Sequence, residues 1–130
     1  MNPKVRRALE KDLTIDITTK GRKSGQAKKI EIWFHNIDGI IYITGTPGPR
    51  DWYANMLSEP KFTFHLKESV HADIPARAKP IADPAERERI LSRMKEEITI
   101  GAFIQGDWDL GEWVDSAPLV EVVLGDNQCV

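Results

Sequence analysis

Alternation of apolar and polar residues runs through most of this chain and predicts β-strands. Residues 13–19 place leucine or isoleucine at positions 13, 15 and 17, with threonine or aspartate between them. A period of two predicts a strand with one buried side and one solvent-facing side. Similar alternation or short apolar runs predict further strands at 30–35, 40–44, 62–66, 70–78 and 118–124. The last segment is apolar at almost every position, so we expect it to be buried on both faces.

Turn and capping residues divide these strands and predict three helices. The Asp38-Gly39 pair supplies the positive φ angles that a tight hairpin between the second and third strands needs, and residues 67–69 form another turn. Asp83, with Pro84 next to it, is a typical cap for a helix whose apolar stripe includes Ile90. Two shorter helices are predicted at 3–9 and 50–57, and residues 99–113 show no clear pattern.

Five or six strands in antiparallel order, with the helices inserted late, predict a mainly β fold with peripheral helices, of the α+β class. We expect a closed or half-open β-barrel and not alternating βαβ units. Residues 1–130 contain no internal repeat and no low-complexity linker, and their number fits one hydrophobic core. The sequence therefore predicts one domain.

Composition narrows the classes of function. The 18 basic residues against 20 acidic ones give a net charge of -2, so we expect no nucleic-acid partner. No apolar run approaches the ~18 residues of a membrane span, and the N-terminal residues lack an apolar signal-peptide core. The only cysteine, Cys129, cannot build a disulfide framework, and we expect a cytoplasmic protein. His35, His65 and His71 lack metal-ligand spacing, so we expect no metal site and assign no catalytic residue.

The basic segment between the first two strands is the strongest chemical signal. It combines two glycines, a hydroxyl and three cations, a set that suits a phosphate group. Its spacing differs from that of a nucleotide P-loop, and a solvated basic hairpin is the alternative interpretation. The candidate phosphate ligands are Gly21, Arg22, Lys23, Ser24, Gly25 and Lys28.

A second candidate element is the constrained loop that leads from the strand at 40–44 into the helix at 50–57. Its backbone N–H groups and a cation could surround an anion, two aromatic rings could close a pocket wall, and its glycines would let a planar ring approach the backbone. The candidate residues are Gly45, Thr46, Gly48, Arg50, Trp52 and Tyr53. Together the two elements predict a site for a phosphorylated planar cofactor.

In order and spacing these motifs resemble the deazaflavin-dependent nitroreductase family. That family lies within the flavin and deazaflavin oxidoreductases, which adopt the FMN-binding split β-barrel of pyridoxamine phosphate oxidase. The resemblance covers about residues 12 to 95. Its matching segments are 19–26, 30–34, 38–39, 51–56, 59–63, 76–78 and 83–87.

The resemblance implies that reduced coenzyme F420 delivers a hydride to a small electron-poor acceptor such as a quinone, nitro compound or enone. It also implies that Arg22, Lys23 and Ser24 contact the phosphate-bearing tail. FMN is the alternative cofactor, and a non-catalytic barrel that binds a flavin or another ring ligand is the alternative class. Family members often carry tyrosines near the C-terminus on the substrate side, where this chain offers Phe103, Trp108 and Trp113. The acceptor and the oligomeric state stay open, with a homodimer as one option.

Overall fold

A computed structural model describes residues 2–97 and 109–125. The helices and strands alternate irregularly along the chain. In chain order they are α1 (Pro3–Lys11), β1 (Thr14–Lys20), β2 (Ala27–Trp33), β3 (His35–Ile37), β4 (Ile40–Thr44), α2 (Asp51–Ser58), β5 (Lys61–Leu66), β6 (Ala72–Pro80), α3 (Pro84–Glu97), α4 (Leu110–Ser116) and β7 (Leu119–Leu124).

All strands belong to one antiparallel sheet in the order β2-β1-β5-β6-β7-β4-β3. The sheet curls, so that β2 at one edge approaches β4 near the other. The fold is therefore a half-barrel with helices around it, which confirms the predicted split-barrel architecture. The Asp38-Gly39 hairpin is also confirmed, since both residues have positive φ angles, 55° and 88°.

The inner face of the sheet encloses the main hydrophobic core. Ile15 and Ile17 of β1 are completely buried there, and the Phe34 and Phe64 rings meet edge to face with centroids 5.5 Å apart. A second core cluster lies under α3 and α4, where Ile90 packs with its apolar neighbours. This arrangement confirms the apolar stripe predicted for α3, and its predicted Asp83 cap is present because Asp83 Oδ2 accepts from the Glu86 backbone N–H at 3.0 Å.

The outer face of β1 carries a polar network that spans three strands. His65 Nδ1 lies 2.7 Å from Asp73 Oδ1, and His65 Nε2 lies 2.7 Å from Thr18 Oγ1. A carboxylate only accepts hydrogen bonds, so a neutral His65 ring donates from Nδ1 to Asp73 and accepts the Thr18 hydroxyl proton at Nε2. The same contact with His65 holds the pKa of Asp73 below its ordinary value. This histidine therefore serves to link β1, β5 and β6.

A buried guanidinium joins α3 to the end of α4. The Arg87 side chain donates to the carbonyls of Val114 at 2.6 Å, Ile81 at 2.9 Å, Trp113 at 3.0 Å and Ala117 at 2.5 Å. Three of these carbonyls lie in or just after the last turn of α4, where most helix carbonyls lack partners within the helix, although the Trp113 carbonyl also accepts from the Ala117 N–H. Arg87 therefore caps α4 from a neighbouring helix.

Several predictions from the sequence need correction. Leu13 was expected on the buried side of a strand, but it precedes β1 and is 47% exposed. The strand expected at 30–35 begins earlier, at Ala27, and ends at Trp33, after which β3 forms a separate short strand. This break raises the strand number to seven. The strand expected from Val70 begins at Ala72. Helix α4 was not predicted, and residues 99–108 and Cys129 lie outside the described residues.

Within residues 2–97 and 109–125, no helix is long and apolar enough to cross a membrane. The same part of the chain contains no group of three or more histidine, cysteine, aspartate or glutamate side chains placed to hold a metal ion.

Acid is expected to destabilise the fold through His35. Burial lowers the pKa of His35 from 6.5 to about 4. Between these values the unfolded chain binds a proton that the folded chain excludes, so stability is lost as the pH falls from 6.5 toward about 4. We expect the parent protein to lose ~2 kcal/mol more unfolding free energy than His35→Gln when the pH falls from about 7 to about 5. Denaturant unfolding at the two pH values measures this difference.

Comparing each protein with itself at two pH values removes any constant cost of placing glutamine in the core. The exposed His71 provides the control, and His71→Gln is expected to follow the parent. Equal pH dependence of the parent and His35→Gln would contradict the prediction.

Candidate functional site

A groove of mixed chemistry lies between the β1–β2 turn and helix α2. It has a volume of about 450 Å³ and is open to solvent on one side. Its walls combine cations, one carboxylate, neutral polar groups and apolar side chains. The lining residues are Thr19, Gly21, Arg22, Lys23, Ser24, Lys28, Ile30, Asp51, Trp52 and Asn55.

The β1–β2 turn is tight, and Gly21 makes that tightness achievable. The Gly21 backbone N–H donates to the Gln26 carbonyl, and its own carbonyl accepts from the Gly25 N–H, both at 2.8 Å. A Cβ on residue 21 would lie 2.7 Å from Ser24 Oγ, which is closer than real Cβ contacts. Any larger residue would therefore displace Ser24. Gly25 closes the turn with a φ of 72°.

Helix α2 anchors this turn through Asn55. The Asn55 Oδ1 atom accepts from the backbone N–H of Arg22 at 3.1 Å and from its Nη1 at 3.2 Å. The Asn55 Nδ2 atom donates to Thr19 Oγ1 at 3.2 Å, and Asn55 is only 5% exposed. The buried amide therefore fixes both the backbone and the side chain of Arg22.

Charge in the groove is predominantly positive. Arg22, Lys23 and Lys28 contribute three cations, and Asp51 contributes one carboxylate, 3.6 Å from Arg22 Nη2. Cations grouped around a concave surface favour an anionic ligand, and the arginine fork suits a phosphate or carboxylate. The donor set therefore fits the phosphate expected from the sequence.

One wall of the groove is apolar. Trp52 is the second residue of α2, and its ring lines the groove while packing into the main core at 8% exposure. Ile30 of β2 adds a partly exposed aliphatic side chain. Trp52 and Met56, spaced four residues apart, are both buried on one face of α2, which confirms the predicted helix face. A ligand with a planar ring and a phosphate could therefore place its ring against the apolar wall and its phosphate beside the cations of the same groove.

The structure brings together only part of the predicted set. Gly21, Arg22, Lys23, Ser24, Lys28 and Trp52 line the groove. The remaining candidates do not belong to its lining residues, namely Gly25, Gly45, Thr46, Gly48, Arg50 and Tyr53.

The loop between β4 and α2 makes its own internal contacts. The Arg50 guanidinium donates to Thr46 Oγ1 and, at 2.8 Å, to the Pro49 carbonyl. The Gly48 N–H donates to the Ser116 carbonyl at 3.3 Å, and Gly48 has a φ of 120°. Gly45 lies near Trp52, since a Cβ there would be 3.8 Å from its ring. Direct contact of the loop residues with an anion stays a prediction.

Four lining residues were missed from the sequence: Thr19, Ile30, Asp51 and Asn55. Asn55 could have been found from the sequence by its spacing. It lies four residues after Asp51 and three after Trp52, and residues at these separations share one helix face. A polar residue on an otherwise apolar face needs a partner when buried. That partner, the β1–β2 turn, is distant in sequence, so only the fold reveals it.

Most of the chain matches one protein family. Residues 1–102 match the model of the family described as F420H(2)-dependent quinone reductase. A comparison with curated proteins gives no match.

Solved structures resemble the chain over nearly its whole length. An F420 reductase shares 14% identity and a TM-score of 0.64, covering 92% of this chain and 91% of that one. A conserved hypothetical protein from Mycobacterium tuberculosis shares 18% identity and a TM-score of 0.68, covering 95% and 81%. A putative pyridoxamine 5'-phosphate oxidase from Listeria innocua shares 14% identity and a TM-score of 0.64, covering 93% and 90%. At these identities the similarity establishes the split-barrel fold.

Proposed function

The chain belongs to the F420H(2)-dependent quinone reductase family, and we propose that this F420-dependent reductase acts on an electron-poor acceptor of the quinone class. The family description supports a quinone over the nitro compound and the enone that the sequence left open. The proposal also assigns the cofactor to the groove between the β1–β2 turn and α2. We keep the cytoplasm as the proposed location.

One observation carries the site assignment: three cations and an aromatic wall line the same groove. Coenzyme F420 consists of a planar deazaflavin joined to a phosphate-bearing tail, so it needs an apolar surface beside an anion site. Arg22, Lys23 and Lys28 would hold the phosphate, and Trp52 with Ile30 would border the ring. The groove volume of about 450 Å³ lies in the range of small-molecule sites.

When bound, the reduced deazaflavin supplies the hydride. The protein's own contribution is then binding, orientation and exclusion of water, as in other cofactor enzymes. Asn55 fixes Arg22 before the ligand arrives, which lowers the entropy lost on binding. Trp52 is held by the core behind it and gives the ring a rigid neighbour. No side chain needs to form a covalent bond.

Anaerobic turnover tests the proposed reaction. The purified protein is mixed with reduced F420 and a water-soluble naphthoquinone, and the visible absorbance of the oxidised deazaflavin is followed. We expect oxidation that depends on both protein and quinone. A nitroaromatic compound and an enone serve as alternative acceptors in parallel assays. If the quinone is not reduced at saturating cofactor while the nitroaromatic compound or the enone is, the proposed acceptor class is wrong and the active compound indicates the correct one.

FMN is the second cofactor to test, because its ring and phosphate satisfy the same groove chemistry. A structurally similar protein described as a putative pyridoxamine 5'-phosphate oxidase adds support for the alternative. Parallel fluorescence titrations with F420 and FMN decide between them. We expect F420 to bind more tightly, and tighter binding of FMN would overturn the choice of cofactor. A protein that binds neither would support the non-catalytic barrel.

Trp52 is expected to affect both affinity and stability, because its ring faces the groove and the core. Trp52→Leu should raise the dissociation constant of F420 by roughly 2- to 10-fold, since aromatic stacking contributes about 0.5–1.5 kcal/mol beyond burial. It should also lower the unfolding free energy by ~1–3 kcal/mol through imperfect repacking. Fluorescence titration and denaturant unfolding on the same variant measure the two effects.

Trp113 provides the matched control, because it is 3% exposed but belongs to the second core cluster. Trp113→Leu should lower stability and leave cofactor affinity per folded molecule unchanged. Unchanged affinity in Trp52→Leu as well would remove Trp52 from the site.

A further inference from the structure

Two side chains of α2 hold the same arginine in different ways. Asn55 is 5% exposed and accepts two hydrogen bonds from Arg22, one from the backbone and one from Nη1. The Asp51 side chain is 93% exposed, and its Oδ1 lies 3.6 Å from Arg22 Nη2. Residues 51 and 55 are one helical turn apart and therefore share a face. Arg22 thus has one buried partner and one solvated partner.

These two contacts differ in how easily they can be exchanged. A buried amide that loses its partner leaves unsatisfied polar atoms, which is costly. An ion pair between exposed side chains contributes little, because water and salt solvate both charges. Any ligand that approaches Arg22 from the groove will therefore compete with Asp51 and not with Asn55.

We propose that Asn55 is the positioning residue of the anion site, and that the cofactor phosphate takes the place of Asp51 on Arg22. This inference rests on the proposed function. Asn55 holds one edge of the guanidinium, so Nη2 and its neighbouring donors keep a fixed direction toward the groove. In the ligand-free protein Asp51 pairs with Arg22 and repels an arriving anion, so Asp51 lowers the affinity of the site for phosphate.

The proposal predicts opposite signs for two substitutions on the same helix. Asp51→Asn keeps the shape of the side chain and removes the competing charge, so F420 should bind roughly 2- to 5-fold more tightly at low ionic strength. Asn55→Ala removes the fixed partner, so F420 should bind roughly 10-fold more weakly. A purely structural role for the two residues would weaken binding in both variants.

The deazaflavin that lacks the phosphate-bearing tail is the matched ligand control. Its affinity should change less than about twofold in either variant, because it presents no anion to Arg22. Raising the salt concentration should shrink the gain in Asp51→Asn, since salt screens the carboxylate. Fluorescence titration with both ligands at two ionic strengths gives all of these quantities without any turnover.

A double-mutant cycle connects Asn55 with Arg22. Arg22→Ala removes the guanidinium but keeps the backbone N–H that also donates to Asn55, so adding Asn55→Ala should weaken F420 binding by a smaller factor in the Arg22→Ala background than in the parent. Thermal unfolding of each variant checks the fold. Thr19→Val is a second route, because it removes the acceptor that holds the Asn55 amide. It is expected to weaken F420 binding by roughly 2- to 5-fold.

Weaker F420 binding by Asp51→Asn, or equal loss of both ligands in Asn55→Ala, would overturn the inference. Unchanged F420 binding in Arg22→Ala would overturn the site assignment of the proposed function, and the inference with it. The two failures are distinguishable, because the first leaves the effect of Arg22→Ala intact.

Discussion

Arg87→Ala is expected to lower the free energy of unfolding by ~3–5 kcal/mol, because the substitution removes a buried charge from four carbonyl partners. The carbonyls at the end of α4 would lose their cap, and the junction between α3 and α4 would loosen. Denaturant unfolding measures the loss. Arg87→Lys should fall between the parent and Arg87→Ala, since an ammonium keeps the charge but cannot reach all the carbonyls of a planar fork.

Arg89 on the same helix is the control for removal of an exposed guanidinium. Its side chain is 54% exposed, pairs with Glu86 at 2.8 Å and hydrogen-bonds the Tyr42 hydroxyl. Arg89→Ala should cost no more than ~1–2 kcal/mol, the usual range for an exposed pair and one further hydrogen bond. A similar cost for the two alanine variants would mean that the Arg87 network contributes no more than a surface ion pair.

Removal of the cations in the groove is expected to give the largest loss of ligand affinity. Arg22→Ala and Lys23→Ala should each weaken F420 binding by roughly 10- to 150-fold, because each deletes a charge-assisted contact to phosphate worth about 1.5–3 kcal/mol. The double variant should lose at least roughly 100-fold if the two contacts are independent. Titration at low and high ionic strength measures the losses, and salt should reduce the affinity of the parent more than that of the variants.

Lys29→Ala is the matched control for this experiment. Lys29 belongs to the same hairpin, but it lies across from Thr18 on the outer face and near Asp16, at 4.0 Å. Its removal changes the net charge equally without touching the groove. Binding losses of the same size in Lys29→Ala and Lys23→Ala would show that affinity depends on the net charge of the protein and not on a specific contact in the groove.

The strands and the basic turn were predictable because each rests on local patterns. Alternation alone is enough to predict β1, and the Asp38-Gly39 pair alone predicts the hairpin between β3 and β4. Leu13 was mistaken because alternation alone does not show where pairing ends. The break at Phe34 was missed for a related reason, since an apolar residue between two strands continues the pattern of both.

The polar anchoring of the site could not be predicted from the sequence. Asn55 reaches a turn more than thirty positions earlier in the chain, through Arg22 and Thr19. The same limit applies to Arg87, whose partners include carbonyls that no side-chain pattern encodes. Local rules located the cations of the groove, whereas the groups that orient them depend on how α2 meets the sheet.

Strand β1 gives its two faces to two separate tasks. Thr18 points outward to His65, while its neighbour Thr19 is buried and meets Asn55 beside the groove. A shift of one residue in the pairing of β1 would exchange these faces, because side chains alternate strictly along a strand. The isoleucines would then turn to solvent and Thr18 would stand where Thr19 anchors Asn55. Insertion of a single residue within β1 would therefore abolish the groove. Changes in the length of the exposed β1–β2 turn would instead alter ligand affinity gradually.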